Sequence, residues 1–555
     1  MSDISRRNFL KTTLGMGAAA VASGVLNAKD RKPESAPNIL FCIADDWTWV
    51  HSSIEGCEAV ETPNFDRVAK KGVMFNNAYC SAPSCAPSRA SILAGRNGWE
   101  LEEGAVLWGQ FPAKYKVYPE ILEQHGYHVG YTGKGWSPGD IEDSGRTRNP
   151  AGKEYNEIRQ RPWTEFGVTD EMFDVDYAAN FDAFLKDRKG DQPFCFWLGT
   201  IEPHRAYAEG LGKRRGKDPK DVNVPDFLPD TPRVRSDILD YLSEIEWVDI
   251  QLGRVLDTLE QKGELDNTLI VVTSDNGMPF PRAKANLYEY GTHMPLAICW
   301  GNEIKGGRRV DDLVNFIDFA PTFLEAAGVE VPEEMSGQSL MPQLLSKRSG
   351  QIDPQRNVTF TYKERHAWSN PGGLATPMRS IRKDNFLLIW NLRPERWPAG
   401  HEVPEFNWDM WPFGDVDHGP SKEEVLACKY DEKKRKYYDW AFSKRPEFEL
   451  YDIAADPYQL NNLARDPKYK KQRESLFRNL KQYLTKTGDL RMQGRGQVYE
   501  RTPYYCTQGL ETGGLWLKEF QGLNRKEREK AYQDARDQLE ENLQKLHEIT
   551  EEARE

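Results

Sequence analysis

Four apolar runs of strand length mark the first three hundred residues: Asn38–Ala44, 194–200, Thr268–Ser274 and 295–300. Each is continuously apolar instead of alternating, as a strand buried on both faces requires. Helix-period patterns lie among them at 62–70, 236–262 and 318–327. Strands interleaved with helices predict an α/β domain with a large, mostly parallel sheet sandwiched by helices. Polar residues crowd directly behind three of these strands, as Asp45-Asp46, Glu202-Pro203-His204 and Asp275-Asn276. In such folds ligands bind beyond the carboxyl ends of the strands. The pattern therefore aims three groups of polar side chains at one edge.

Around 346–353 the chain turns polar and loop-like. Beyond it a strand-like run at 386–390 and a helical pattern at 466–484 predict a smaller C-terminal α+β domain. The tail 524–555, dominated by Glu, Lys, Arg and Gln, predicts one charged helix with a solvated face.

Composition narrows the function classes. The 555 residues are 39% hydrophobic, with 16 Trp, 23 Tyr and 24 Phe, which excludes a disordered chain. A net charge of -12 argues against a general binder of nucleic acid or membrane surface, and leaves room for a local basic pocket. The start reads Ser5-Arg6-Arg7-Asn8-Phe9-Leu10-Lys11 and continues into an Ala/Gly-rich run to Leu26. It resembles a twin-arginine export signal, with cleavage after Ala28 or Ala22 left open. The run is too short and glycine-rich for a stable membrane insertion, and it holds no Cys for a lipid anchor. Eight cysteines are scattered without a C-x-x-C pair, against a zinc cluster or a disulfide framework. Cys42, Cys195 and Cys299 fall in strand-like runs and read as buried thiols.

The sharpest motif is Cys85-Ala86-Pro87-Ser88-Arg89-Ala90-Ser91-Ile92-Leu93-Ala94-Gly95-Arg96. It resembles the signature of the type I sulfatases, C-x-P-S-R-x-x-x-L-T-G-R, and departs from it only at Ala94. The resemblance continues through Pro37-Asn38-Ile39-Leu40 to Asp45-Asp46, through Ser274-Asp275-Asn276-Gly277, and through Glu449-Leu450-Tyr451-Asp452 to Ala464. Residues 275–281, Asn286-Leu287-Tyr288 and Pro377-Met378-Arg379-Ser380 are similar to the N-sulfoglucosamine sulfohydrolase branch. The resemblance implies an alkaline-phosphatase-like fold and oxidation of Cys85 to formylglycine by a formylglycine-generating or anaerobic sulfatase-maturating enzyme. It also implies a metal held by Asp45, Asp46, Asp275, Asn276 and the modified Cys85. This all-oxygen set suits calcium ahead of magnesium and does not suit zinc. One hydroxyl of the hydrated aldehyde then attacks sulfur, and the other restores the aldehyde. Arg89 balances charge beside the nucleophile, while Lys134, His204 and Lys284 clamp the sulfate oxygens. His204 or Lys284 protonates the leaving group.

One departure touches the chemistry. The family commonly reads G-K-W-H around the lysine, whereas this chain reads Gly133-Lys134-Gly135-Trp136-Ser137. Trp136 stands where the histidine would be and cannot transfer a proton. His51 and His293 are the candidates to replace it. For substrate contacts the reading selects His293, Arg365, His366, Arg379 and His401, together with the Trp-rich stretch 390–411, since aromatic faces suit pyranose rings and Arg suits anions.

The expected organisation is an export signal at 1–28, a sulfatase catalytic domain at 36–350, a smaller α+β domain at 351–495, and an extension at 496–555. The expected function is an exported sulfatase, periplasmic or secreted through the Tat translocon. Its substrate would be a sulfated polysaccharide such as an algal ulvan or a glycosaminoglycan. A sulfamidase and a non-catalytic glycan-binding protein are the alternatives. A phosphatase reading is weak, because nine His in the whole chain supply no His-rich dizinc site.

Overall fold

The computed structural model describes residues 36–159, 172–301, 303–407, 409 and 411–506. The export signal and the charged tail expected at 524–555 lie outside the described residues. In chain order the strands are β1 (Asn38–Ala44), β2 (Val73–Phe75), β3 (Ala78–Tyr79), β4 (His128–Gly133), β5 (Lys153–Glu154), β6 (Phe194–Gly199), β7 (Thr268–Ser274), β8 (His293–Met294), β9 (Leu296–Trp300), β10 (Arg308–Val310), β11 (Val314–Asn315), β12 (Val358–Lys363), β13 (Met378–Lys383), β14 (Phe386–Asn391) and β15 (Phe448–Asp452).

Eight of them form one sheet in the order β10-β2-β9-β7-β1-β6-β4-β5. β1 lies at its centre and shows why its sequence is apolar throughout. Leu40, Cys42 and Ala44 face a layer that includes the long helix Pro232–Gln261, and Ile39, Phe41 and Ile43 face one that includes the helices Cys85–Ala94 and Phe319–Ala326. Cys42, Cys195 and Cys299 are buried thiols in these strands.

β7, β1, β6, β4 and β5 run parallel, so four carboxyl ends that carry chemistry emerge side by side. β9 is antiparallel to β7 and β2, which makes the sheet mixed. The chain between β7 and β9 carries the short strand β8 and one four-residue helical turn, and lacks the packed crossover helix that usually joins parallel neighbours. β4 lies outside the apolar runs because its glycines hide it. A Cβ on Gly130 would come within 2.8 Å of the Phe184 and Tyr155 rings, and Gly133 has a positive φ of 70°.

The second sheet, β12-β13-β14-β15, is antiparallel. The helix Lys470–Lys486 covers it with Leu476, Leu480 and Leu484, spaced by one helical turn. Trp99, Ala105 and Val106 from the first part of the chain join that cluster. The short strands β11, β3 and β8 form a further small sheet, and all three sheets lie within one compact unit. Among the described residues, no helix is long and apolar enough to cross a membrane.

Candidate active site

Backbone hydrogen bonds lock the strand ends together before any side chain takes part. Asp45 N–H donates to the Glu202 carbonyl (3.2 Å), Asp275 N–H to the Ala44 carbonyl (3.1 Å), and Lys134 N–H to the Gly199 carbonyl (2.7 Å). The ends of β1, β7, β4 and β6 thus form one rigid platform. Asp46 has a positive φ of 78°, which turns its carboxylate toward the loop behind β7.

Cys85 is the first residue of its helix, at the end where unpaired N–H groups favour negative charge. Its thiol donates to Asp45 Oδ1 at 3.2 Å. Burial and the nearby Asp45 carboxylate push this thiol well above its ordinary range, so an unmodified Cys85 is a poor nucleophile. Arg89 follows one turn later on the same helix face. Its Nε donates to Asp275 Oδ2 at 2.7 Å, and Nη1 donates to the Lys134 carbonyl at 2.6 Å. The charged platform under the thiol is therefore cross-braced from the helix that carries it.

Four carboxylates meet three fixed cations here. Lys134 pairs with Asp45, and Lys284 bridges Asp46 Oδ2 at 2.7 Å and Asp417 Oδ2 at 3.1 Å. Burial opposes the ionised form of Asp45, but Lys134, His204, Arg89 and Lys284 hold its carboxyl well below the usual range. Asp46 goes the other way. Burial raises it against the pull of Lys284, and Asp45, Asp417 and Asp275 raise it further. The group thus carries an excess negative charge that a cation would relieve.

Asn276 donates from Nδ2 to Asp46 Oδ1 at 2.5 Å, while its Oδ1 is buried with no protein partner. An orphaned amide oxygen among Asp45, Asp46 and Asp275 is a hard-oxygen donor set, and it fits a divalent cation such as calcium or magnesium.

His204 lies against Asp46 and Asp417, with a ring nitrogen among their carboxylate oxygens. Its Nδ1 donates to the Arg205 carbonyl at 2.6 Å, which leaves Nε2 as the acceptor. Burial, helped by Lys284, lowers its pKa to about 4, so the ring is neutral near pH 7. His366 enters from the chain beyond β12, and its Nδ1 lies 2.8 Å from Ser84 Oγ, beside Cys85. Asp417 was not singled out from sequence. It follows Gly414-Asp415-Val416 in a stretch with no motif, and only the fold brings it to Lys284.

The other selected residues go elsewhere. Arg379 is fully buried and bonded to Asp489 and Glu364. Arg365 donates to the Thr502 and Pro503 carbonyls. His401 packs against Trp397 and Phe406. His293 uses both ring nitrogens, on Glu289 and on the Asn76 carbonyl, and stacks on Trp49. His51 bonds to Tyr241. Among the described residues, neither His51 nor His293 shares a hydrogen bond with the Cys85 group. Trp136 is a core residue packed on Phe111 at 5.7 Å.

Residues 37–329 match the family model described as Sulfatase, which covers more than half of the chain. The chain belongs to the sulfatase family. It is accordingly a sulfuric ester hydrolase. Residues 282–398 of the sulfatase also match the C-terminal model of N-sulphoglucosamine sulphohydrolase, and residues 3–23 match the twin-arginine translocation signal. The signal marks the sulfatase for export across the cytoplasmic membrane.

The sulfatase is 28% identical over 496 residues to an ulvan-active sulfatase of Formosa agariphila, covering 83% of this chain and 77% of that protein. It is 27% identical to human N-sulphoglucosamine sulphohydrolase, covering 81% of this chain and 90% of the human protein. Among solved structures, it resembles one in complex with its substrate D-glucosamine-2-N,6-O-disulfate, with a TM-score of 0.59, 22% identity, and coverage of 82% of this chain and 99% of that chain. A phosphonate monoester hydrolase from Silicibacter pomeroyi has the same TM-score of 0.59 at 19% identity, with coverage of 82% and 96%. Fold likeness of this kind does not distinguish sulfuryl from phosphonyl chemistry.

Proposed function

We propose that this sulfatase removes sulfate from a sulfated polysaccharide or its oligosaccharides outside the cytoplasm, in the periplasm or beyond it, with Cys85 acting as formylglycine. The observation that carries the proposal is the placement of Cys85 at a helix N-terminus. There it touches Asp45 beside an orphaned Asn276 oxygen, with Lys134 and Lys284 at hand.

Cys85 is only 2% exposed, so a maturating enzyme needs it before folding is complete. Twin-arginine export carries folded cargo, which puts that conversion in the cytoplasm. The hydrated aldehyde supplies a hydroxyl nucleophile that the native thiol lacks. Asp45, Asp46, Asp275 and Asn276 would hold calcium, which supplies a positive centre against a sulfate oxygen.

The chain's own groups then divide the work. Arg89 fixes Asp275 and faces Asp45, keeping the carboxylates in register. Lys134 and Lys284 present ammonium groups to the remaining sulfate oxygens as charge builds. His204 is neutral, with its proton on Nδ1, so Nε2 accepts a proton and delivers it to the departing oxygen only after being charged. His366, bonded to the residue that precedes Cys85, supplies an imidazole next to the nucleophile, where Trp136 offers no proton-transfer group.

The substrate class is argued from the rim and the relatives. Trp411 is 43% exposed, stacks on His418 at 4.0 Å, and lies six residues from Asp417. A half-exposed aromatic ring suits packing against a sugar ring. The relatives named for ulvan and for N-sulphoglucosamine both support a sulfated glycan. The match over 282–398 favours a second reading, cleavage of an N-sulfate. The first test is the mass of the Cys85 peptide from the native host, expected about 18 Da below unmodified Cys. Free sulfate from a panel of O- and N-sulfated oligosaccharides then ranks the readings. An unmodified Cys85, or full activity in Cys85→Ala, overturns the proposal.

A further inference from the structure

A second cavity, of about 450 Å³, opens beside the four-stranded sheet and is distinct from the site around Cys85. It falls within the roughly 300–1,000 Å³ typical of ligand sites. Arg393, Arg396, Arg491 and Arg501 line it, together with Trp390 and Glu500. Four guanidinium groups around one carboxylate form a strong local reversal in a chain of net charge -12.

The four arginines are not equivalent. Glu500 accepts from Arg396 at 3.0 Å and from Arg491 at 3.0 Å, and Glu364 also accepts from Arg491 at 2.5 Å. These two are held in place as the floor. Arg393 and Arg501 are exposed and have no carboxylate partner among the described residues. Arg393 and Arg501, in one cleft with these salt-bridged arginines, offer guanidinium groups that suit paired anionic oxygens. Trp390 is half-buried on the sheet and braced edge-on by Phe477 at 5.1 Å, which fixes its ring beside the arginines. Gly494 and Gly496 keep that side of the cavity free of side chains. Phosphate on a nucleic acid would satisfy the arginines equally, but a single braced indole beside them suits one pyranose ring better than a stack of bases.

We propose that this cleft is a second, non-catalytic binding site for a sulfated or carboxylated polysaccharide, holding the polymer while the Cys85 site works on it. The choice of polymer rests on the function proposed above, whereas the anionic preference rests on the arginines alone. Glu364 ties the cleft to the catalytic mouth, since it pairs with Arg491 and lies two residues before His366.

The test uses the full-length chain in a Cys85→Ala background, so that binding is read without turnover. Retention is measured by affinity electrophoresis in gels containing ulvan, heparin, neutral dextran or single-stranded DNA. Arg393→Ala with Arg501→Ala is expected to lower retention by ulvan or heparin on the order of tenfold. Dextran mobility and the melting midpoint should not change. With Cys85 intact, the same double variant is expected to keep its rate of sulfate release from short oligosaccharides. Unchanged retention in the sulfated gels overturns the proposal, as does a larger loss in the DNA gel than in either of them. An equal loss of oligosaccharide turnover also overturns it, because the cleft would then belong to the catalytic site. Retention that depends on the arginines in a protein that releases no sulfate would uphold the cleft while refuting the catalytic proposal.

Discussion

Lys284 holds two buried carboxylates on one ammonium, Asp46 at 2.7 Å and Asp417 at 3.1 Å. Against the cost of burial, Asp417 and Asp46 keep it well above the usual lysine range, so it stays charged through any working pH. Lys284→Ala leaves both carboxylates without this cation and would take one of two ammonium donors from the proposed sulfate pocket. The expected result is a loss of about 10²–10³ in kcat/KM. Stability should also fall by roughly 3–5 kcal/mol, the usual cost of breaking a buried pair. Lys284→Arg should recover most of the stability and part of the rate. Denaturant melts and sulfate release separate the two effects. His204 is a cleaner probe of proton delivery because its Nδ1 is tied to a carbonyl. His204→Ala is expected to lower kcat by about 10²–10⁴, with little change for substrates whose leaving group needs no proton. A poor leaving group and an activated aryl sulfate, compared side by side, read this out.

At the scale of elements, the site depends on how closely the loop after β7 passes its neighbour. A Cβ on Gly277 would come within 1.9 Å of the Tyr290 carbonyl, and that backbone cannot yield cheaply. Gly277→Ala should therefore displace Asp275 and Asn276 and lower both activity and metal affinity. The fold should survive in part, because the clash is confined to one loop. Activity titrated against added calcium, with a melt on the same sample, distinguishes this from general unfolding. The strands β1, β6 and β7 were legible as apolar runs, and their polar followers pointed to the edge where the site lies. β4 was not legible, since Gly130 and Gly133 thin out its pattern for reasons that only Phe184, Tyr155 and the tight turn explain. Arg379 shows the opposite failure. It reads as an anion binder, yet Glu364 and Asp489 already consume its charge inside the fold.

At the scale of the whole molecule, buried histidines contribute to the loss of stability in acid. Burial alone lowers His51 to about 3. A lowered folded value means that the folded state refuses a proton which the unfolded chain takes near pH 6.5. The contribution of His51 to stability is therefore complete above about pH 6.5 and drains away as pH falls toward 3. His366, lowered to about 4 chiefly by burial, adds to the same window. His51→Gln should flatten the fall of the melting midpoint between pH about 6.5 and about 4. An equally steep fall in the variant would show that other groups govern it. Metal removal acts in the other direction on charge. Chelation at constant pH should lower the melting midpoint and abolish turnover, because Asp45, Asp46 and Asp275 then face one another with less relief. Calcium should restore both, and magnesium should do so less well.

The sequence by itself determined the chemistry's vocabulary. The Cys85–Arg96 signature, the two acidic pairs behind apolar strands and the twin arginines each lie within a short stretch, where spacing along the chain equals spacing on a helix or past a strand end. Only the tertiary structure decided which other residues share that site. Asp417 and His366 come from the region beyond residue 350: Asp417 reaches Lys284 beside Phe413 and Val416, which pack into the core of the large sheet, and His366 reaches Ser84 next to Cys85. Arg379, Arg365 and His401 come from the same region and are spent on internal partners. Charge and residue type are local properties readable in a chain. Whether a charge is free depends on partners brought together by packing across hundreds of residues, and no local pattern encodes that.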